Sequence, residues 1–402
     1  MSRDLIYLDN AATSWPKPPA VGEAMAAFLA ESAGNSGRGG HTLSREAGEL
    51  VERARGTLAE MVGAKDARRM ILTHGCTDSV NLAIHGVLRA ALRRFGAWSR
   101  PRVVVSATEH NAVLRTVHCY AEDGLIDVKI APCDGLGRIC PEAVANLCTP
   151  ATVLVCVSHA SNAIGTVQDV GEIGRAVRGR SPEALVLVDA AQTVGHLPID
   201  VEADDIDLLA VAGHKGLRGP TATGGLYVSP RAFCEKEEEN RLFCLRRGGT
   251  GMTGVGFEMP HQLPDALEAG TANAVGLAGL LAAIETWSPA WHDREMELTG
   301  RIMAELGSVR GVRVYGLKET NNRTPVVLFT VEGRSSREVA GELDGQGICV
   351  RGGTHCAPLL HEAMGTAPDG AVRASPGAET SNEDVTRFIE AIHAASQARV
   401  GV

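Results

Sequence analysis

Aromatic residues make up only 4% of the 402-residue chain, too few to build a stacking platform for single-stranded nucleic acid. Positive charge is short as well. Lys and Arg number 39 against 48 Asp and Glu, a net charge of −9, so neither phosphate backbones nor anionic lipid attract the chain in general. No stretch is long and apolar enough to span a bilayer, and Met1 to Asn10 hold no apolar run of signal-peptide length. A cytoplasmic protein is expected, without membrane or nucleic-acid partners. Its ten cysteines are then reduced thiols. None forms a C-x-x-C pair, and Cys133, Cys140 and Cys148 are too loosely spaced to suggest a metal site. A G-x-G-x-x-G turn after the first strand is also missing, which argues against a dinucleotide-binding protein.

What the chain does have is an ordinary globular composition, 44% apolar and 22% charged, at a length that predicts more than one core. Met70 to Thr73, Arg102 to Ser106, Val153 to Ser158, Leu185 to Asp189, Leu208 to Val211 and Leu226 to Val228 read as buried strands. Leu43, Ala47, Leu50, Ala54, Leu58 and Met61 share one helical face. Continuous apolar strands separated by helices predict a mainly parallel sheet covered on both faces. A second unit begins near Ser288-Pro289. It holds a helix over 291–306, strands over 312–315 and 326–331, and a terminal helix over 382–394.

Ligands of open parallel sheets bind beyond the carboxyl ends of the strands. Five such ends carry polar clusters here: Gly75-Cys76-Thr77, Glu109-His110, His159 with Asn162, Asp189 with Gln192, and His214-Lys215. Singly, each has an ordinary explanation as a surface lysine, a core histidine or a helix cap. Together they suit a charged aromatic cofactor. Gly75 lets backbone N–H groups at a helix start approach a phosphate. Asp189 can pair with a protonated pyridine nitrogen. Lys215 can condense with an aldehyde. His110 offers a face for stacking, and Asn162 and Gln192 can hydrogen-bond a ring hydroxyl.

The segments YLDNAATSWP (7–16), GRGGHTLS (37–44), TEHNAVL (108–114), SHASNAIGT (158–166), VDAAQTVGH (188–196), GHKGLRGP (213–220), EAGTAN (268–273) and RGGTHCAPL (351–359) resemble the class V aminotransferase superfamily, and within it the cysteine desulfurases. The resemblance implies a fold type I enzyme with pyridoxal 5′-phosphate held on Lys215 as a Schiff base. Its expected architecture is α/β, with a large, mainly parallel seven-stranded sheet domain over 17–287. A smaller α/β domain is expected from 288–402 together with the N-terminal arm, 1–16. It further implies a homodimer in which Thr271 reaches the partner subunit's cofactor phosphate. Arg373 is expected to clamp the substrate carboxylate, with Arg351, Asn162 and His41 also at the substrate. Cys356 matches the nucleophile, with Arg351 and His355 as positive neighbours that favour its thiolate. Only 17 residues separate Cys356 from Arg373, as in the group with a short cysteine loop. Three departures from the pattern stand out: Ala212 where a phosphate-binding hydroxyl is common, Thr354, and the stretch Ala378-Glu379-Thr380.

The activity this resemblance implies is conversion of L-cysteine to L-alanine, with the sulfur passing to Cys356 as a persulfide. Lys215 moves the Cα proton, and His110 stacks on the ring and shuttles protons. A sulfur-acceptor protein and a place in iron–sulfur cluster assembly are expected with it. The alternative on the same scaffold is selenocysteine lyase, with L-selenocysteine as substrate, or another class V pyridoxal-phosphate enzyme. A non-catalytic sulfur carrier is disfavoured by the intact set Lys215, Asp189, His110, Arg373 and Cys356.

Overall fold

A computed structural model describes residues 5–37, 39–96, 99–234, 240–250 and 256–397. The strands in chain order are β1 (Ile6–Tyr7), β2 (Met70–Thr73), β3 (Arg102–Ser106), β4 (Asp127–Ala131), β5 (Thr152–Ser158), β6 (Leu185–Asp189), β7 (Leu208–Ala212) and β8 (Gly224–Val228), then β9 (Val312–Tyr315), β10 (Val327–Val331), β11 (Ile348–Cys349), β12 (Arg351–Gly353) and β13 (Ala371–Ala374).

Seven of them form one sheet in the order β2-β8-β7-β6-β5-β3-β4. β7, β6, β5, β3 and β4 pair in parallel, and β8 runs antiparallel between β2 and β7. The expected seven-stranded, mainly parallel α/β sheet is therefore present. Its apolar strands feed two cores. Val104, Val155 and Val157 face one layer of helices, and Val103, Val105, Leu154 and Cys156 face the other. This alternation buries both faces and explains why the strands read as unbroken apolar runs.

β4 has no such run. Asp127 and Lys129 form an ion pair on this edge strand, and Ile130 is exposed, so nothing apolar marked it in the sequence. The helix expected from Trp291 starts earlier, at Pro289–Ser308, because Ser288 caps it and Pro289 occupies its first turn.

The second sheet is antiparallel, in the order β12-β13-β10-β9. It packs on Leu298, Ile302, Leu306 and Phe388. β1 pairs in parallel with β11, Ile6 opposite Ile348, so the first described residues join the last quarter of the chain. Among the described residues no helix is long and apolar enough to cross a membrane.

Candidate active site

β2, β3, β5, β6 and β7 point the same way, so their carboxyl ends share one edge of the sheet. A cavity opens there. It is lined by Gly75, Cys76, Thr77, His110, Asn162, Asp189, Gln192, His214 and Lys215. All nine were expected at one site from sequence. Ala212 lines it too, so the departure from a hydroxyl at this position falls inside the cavity.

One end of the cavity suits a phosphate. The helix Cys76–Phe95 starts after Gly75, whose φ of +127° is open to glycine, and no side chain caps its first turn. Its free N–H groups and helix dipole favour an anion. A Cβ on Gly224 would lie 2.8 Å from Gly75 Cα, so β8 packs tightly beneath this turn.

The floor suits a cationic ring. Asp189 ends β6, and its Oδ1 accepts bonds from the Ala191 N–H at 3.0 Å and the Cys76 thiol at 3.2 Å. Burial pushes the Cys76 thiol well up, and Asp189 pushes it further, so Cys76 remains a protonated donor. Glu109 is fully buried beside this carboxylate, its Oε1 accepting from Ser106 Oγ at 2.8 Å and its Oε2 without a partner. Burial and Asp189 raise its pKa to about 8, so Glu109 is largely protonated at neutral pH.

Lys215 lies in the turn after β7. Burial lowers its pKa, partly offset by Asp189; the shift favours the neutral, nucleophilic amine. His110 caps the helix Asn111–Glu122, its Nδ1 accepting from the Ala112 N–H at 3.0 Å. Burial lowers its pKa; the neutral ring then carries its proton on Nε2. Gln192 donates to Ala11 O at 2.9 Å, and His214 Nδ1 lies 3.1 Å from Thr13 Oγ1. Both tie the N-terminal segment to the site.

Asn162 joins the cavity to the C-terminal residues. Its Nδ2 donates to His355 O at 2.7 Å, and its carbonyl accepts from Arg373 Nη1 at 2.9 Å. The Asn111 N–H, next to His110, donates to Cys356 O at 2.7 Å. Cys356 and His355 both have positive φ, +57° and +51°, a conformation uncommon for residues with a side chain. Arg351 sits opposite Arg373 in the β12–β13 pair and places Nη2 3.8 Å from Cys356 Sγ.

His355 differs from its expected role. Burial holds its pKa at about 2, so it is neutral and contributes no positive charge to the thiol. Its Nε2 donates to Arg351 O at 3.1 Å, and its Nδ1 lies 3.2 Å from His361 Nε2. His361 Nδ1 in turn lies 2.7 Å from Thr366 Oγ1. The pair is a brace under the cysteine loop, leaving Arg351 as the cation beside Cys356.

Arg351, Cys356 and Arg373 do not line the cavity itself but are joined to it through Asn162 and Asn111, and two further expected residues lie apart from both. His41 caps the helix Thr42–Glu60. Thr271 lines an adjoining groove with Arg246 and Ala222. Of the other departures, Thr354 O accepts from the Ala357 N–H at 2.8 Å, and Glu379 pairs with Arg218 at 2.9 Å. Sequence reasoning missed Asp9, which bonds Arg373 from the far end of the chain, and the His361–Thr366 brace. His361 carries a local cue, standing five residues after Cys356; Asp9 carries none.

The model of the aminotransferase class-V family matches residues 6–388. A probable cysteine desulfurase of Methanothermobacter thermautotrophicus is 34% identical, over 95% of this chain and 92% of its own length. One from Vibrio cholerae is 31% identical, over 97% and 93%. The apo structure of a cysteine desulfurase from Thermococcus onnurineus superposes with a TM-score of 0.88 at 30% identity, covering 98% of this chain and 95% of that one. The Escherichia coli cysteine desulfurase CsdA, in an S-sulfonic acid form, superposes at 0.84 with 28% identity, covering 98% and 96%. This chain belongs to the class-V aminotransferase family.

Proposed function

We propose that the protein is a pyridoxal-phosphate-dependent cysteine desulfurase, converting L-cysteine to L-alanine and storing the sulfur on Cys356. The observation that carries this reading is the connection of Lys215 and Asp189 in one cavity to a cysteine loop, through Asn162 and Asn111. The residues fit the family cofactor. The uncapped turn at Gly75, Cys76 and Thr77 would take its phosphate, with His214 alongside, and Lys215 would take its aldehyde carbon. Asp189, beside a largely protonated Glu109, would hold the ring nitrogen protonated. His110 would cover the ring, and Gln192 and Asn162 would reach its hydroxyl. When bound, the cofactor supplies an electron sink for charge developing at the substrate Cα.

The chain's own groups supply the rest. Arg373 and Arg351 orient the substrate carboxylate. The lysine amine, lowered by burial, takes the Cα proton. Arg351 stabilises the Cys356 thiolate. That thiolate attacks the substrate sulfur: an S–S bond forms, the Cβ–S bond breaks, and Cβ keeps the electron pair and takes up a proton. Cysteine and the enzyme thiol thus become alanine and the enzyme persulfide, with no outside oxidant or reductant.

We further infer a homodimer, supported by Thr271 lying in a groove outside its own cavity, and a sulfur-acceptor protein. The proposed domain division is 17–287 against 1–16 with 288–402, supported by the pairing of β1 with β11. The test is Lys215→Ala in the purified holoenzyme. The wild type should be yellow and keep its cofactor through borohydride reduction and denaturation. The variant releases it, and alanine formation from cysteine falls to background. A variant that still holds the cofactor covalently refutes the reading.

A further inference from the structure

Outside the cavity, three donor side chains meet at the junction of the large sheet's loops with the helix Pro289–Ser308. His292 and Glu295 stand three residues apart on that helix, and so on one face. His196 comes from the segment that follows β6. One donor atom of each lies within 4.8 Å of the other two. Glu295 is buried, 6% exposed. His196 Nδ1 sits 3.0 Å from Glu295 Oε2, yet without the alignment of a hydrogen bond. His292 Nδ1 is likewise buried with no partner.

A simple His196–Glu295 ion pair leaves this arrangement unexplained. It would place a cationic ring beside His292, at 5.8 Å between centroids, and leave the Nδ1 of His292 orphaned. The buried, unpartnered Nδ1 atoms of His196 and His292 are the donors left for an ion. Two imidazoles and a carboxylate are a common donor set for zinc, with one position left to water. Bonds of about 2.0–2.1 Å require the donors to draw closer than they stand. His292 is only half-buried, and a rotation of its side chain would bring its donor inward.

We propose that His196, His292 and Glu295 form a site for a divalent transition metal of the zinc class. The site lies against the catalytic turn. A Cβ on Gly216, next to Lys215, would fall 2.8 Å from His196 Cδ2. Trp287 Nε1 donates to Gly195 O at 2.8 Å, and Arg218 stacks 4.5 Å over Trp291. A bound ion would therefore staple the start of this helix to the Lys215 turn.

The experiment uses untagged, cofactor-loaded protein, stripped with chelator and titrated with Zn²⁺ by calorimetry. X-ray absorption is then recorded on the one-to-one complex. One ion per chain is expected, with a nitrogen and oxygen shell free of sulfur and a rise in melting temperature. His292→Gln, half-buried and so tolerant of change, should weaken binding at least tenfold while keeping the visible cofactor band. His196→Gln should do the same. Absence of saturable binding overturns the proposal. So does a sulfur-containing shell that both variants retain, which would place the ion on cysteines instead.

Discussion

The guanidinium of Arg373 donates to the carboxylate of Asp9, 364 residues away in sequence. Arg373 is 1% exposed, its Nη1 is taken by Asn162 O, and its Nε has no partner. Asp9 thus neutralises a buried cation. It also fastens the N-terminal segment beside the cavity.

Arg373→Ala should raise KM for cysteine about 10–100-fold, from about 1.5–3 kcal/mol of lost charge-assisted bonding, with the visible cofactor band intact. Steady-state kinetics read it directly. An unchanged KM would assign the carboxylate to Arg351. Asp9→Ala should lower stability by about 1–3 kcal/mol, because a buried donor loses its partner. Denaturant titration measures that loss.

Stability should fall on the acid side. Burial lowers the pKa of His159 to about 4 and that of His355 to about 2. Both stay neutral in the fold, so their contribution is complete above the ordinary value near 6.5 and is lost as pH falls toward the folded values. At pH 5 each costs on the order of 1–2 kcal/mol relative to pH 7. Glu109 acts oppositely. Its pKa is raised to about 8, so its contribution is full below about 4.5 and is lost as pH rises through 8. Glu109→Gln removes this compensation, and its denaturation midpoint should drop more between pH 7 and pH 5 than that of the wild type. Equal drops would mean that Glu109 is ionised in the fold.

His361→Phe should lower kcat about tenfold, on the order of 1.4 kcal/mol, with KM and cofactor absorbance unchanged. The variant leaves His355 Nδ1 without its partner at 3.2 Å and loosens the loop holding Cys356. His361→Gln, which keeps a donor, should recover part of the rate. A loss of cofactor band in either variant would mark His361 as a general packing residue.

The large sheet was legible because its strands are buried on both faces, so VLVCVS and LVLVD could be little else. The cavity was legible because each of its groups follows a strand that runs the same way. β4 was not, since an edge strand carrying Asp127 and Lys129 has no apolar signature. Neither was the Asp9–Arg373 pair, which joins opposite ends of the chain and has no local pattern. The neutrality of His355 depends on its 2% exposure, a tertiary quantity that a Thr-His-Cys triplet does not encode.

Transfer of the substrate sulfur to Cys356 is tested by mass spectrometry of holoenzyme turned over with L-cysteine, without acceptor or reductant. One additional sulfur is predicted on the peptide holding Cys356 and on none of the other nine cysteines, with alanine formed in equal amount. Cys356→Ala should keep the cofactor band and form no alanine above background. Additional sulfur confined to another cysteine, or full alanine production by Cys356→Ala, would contradict the account.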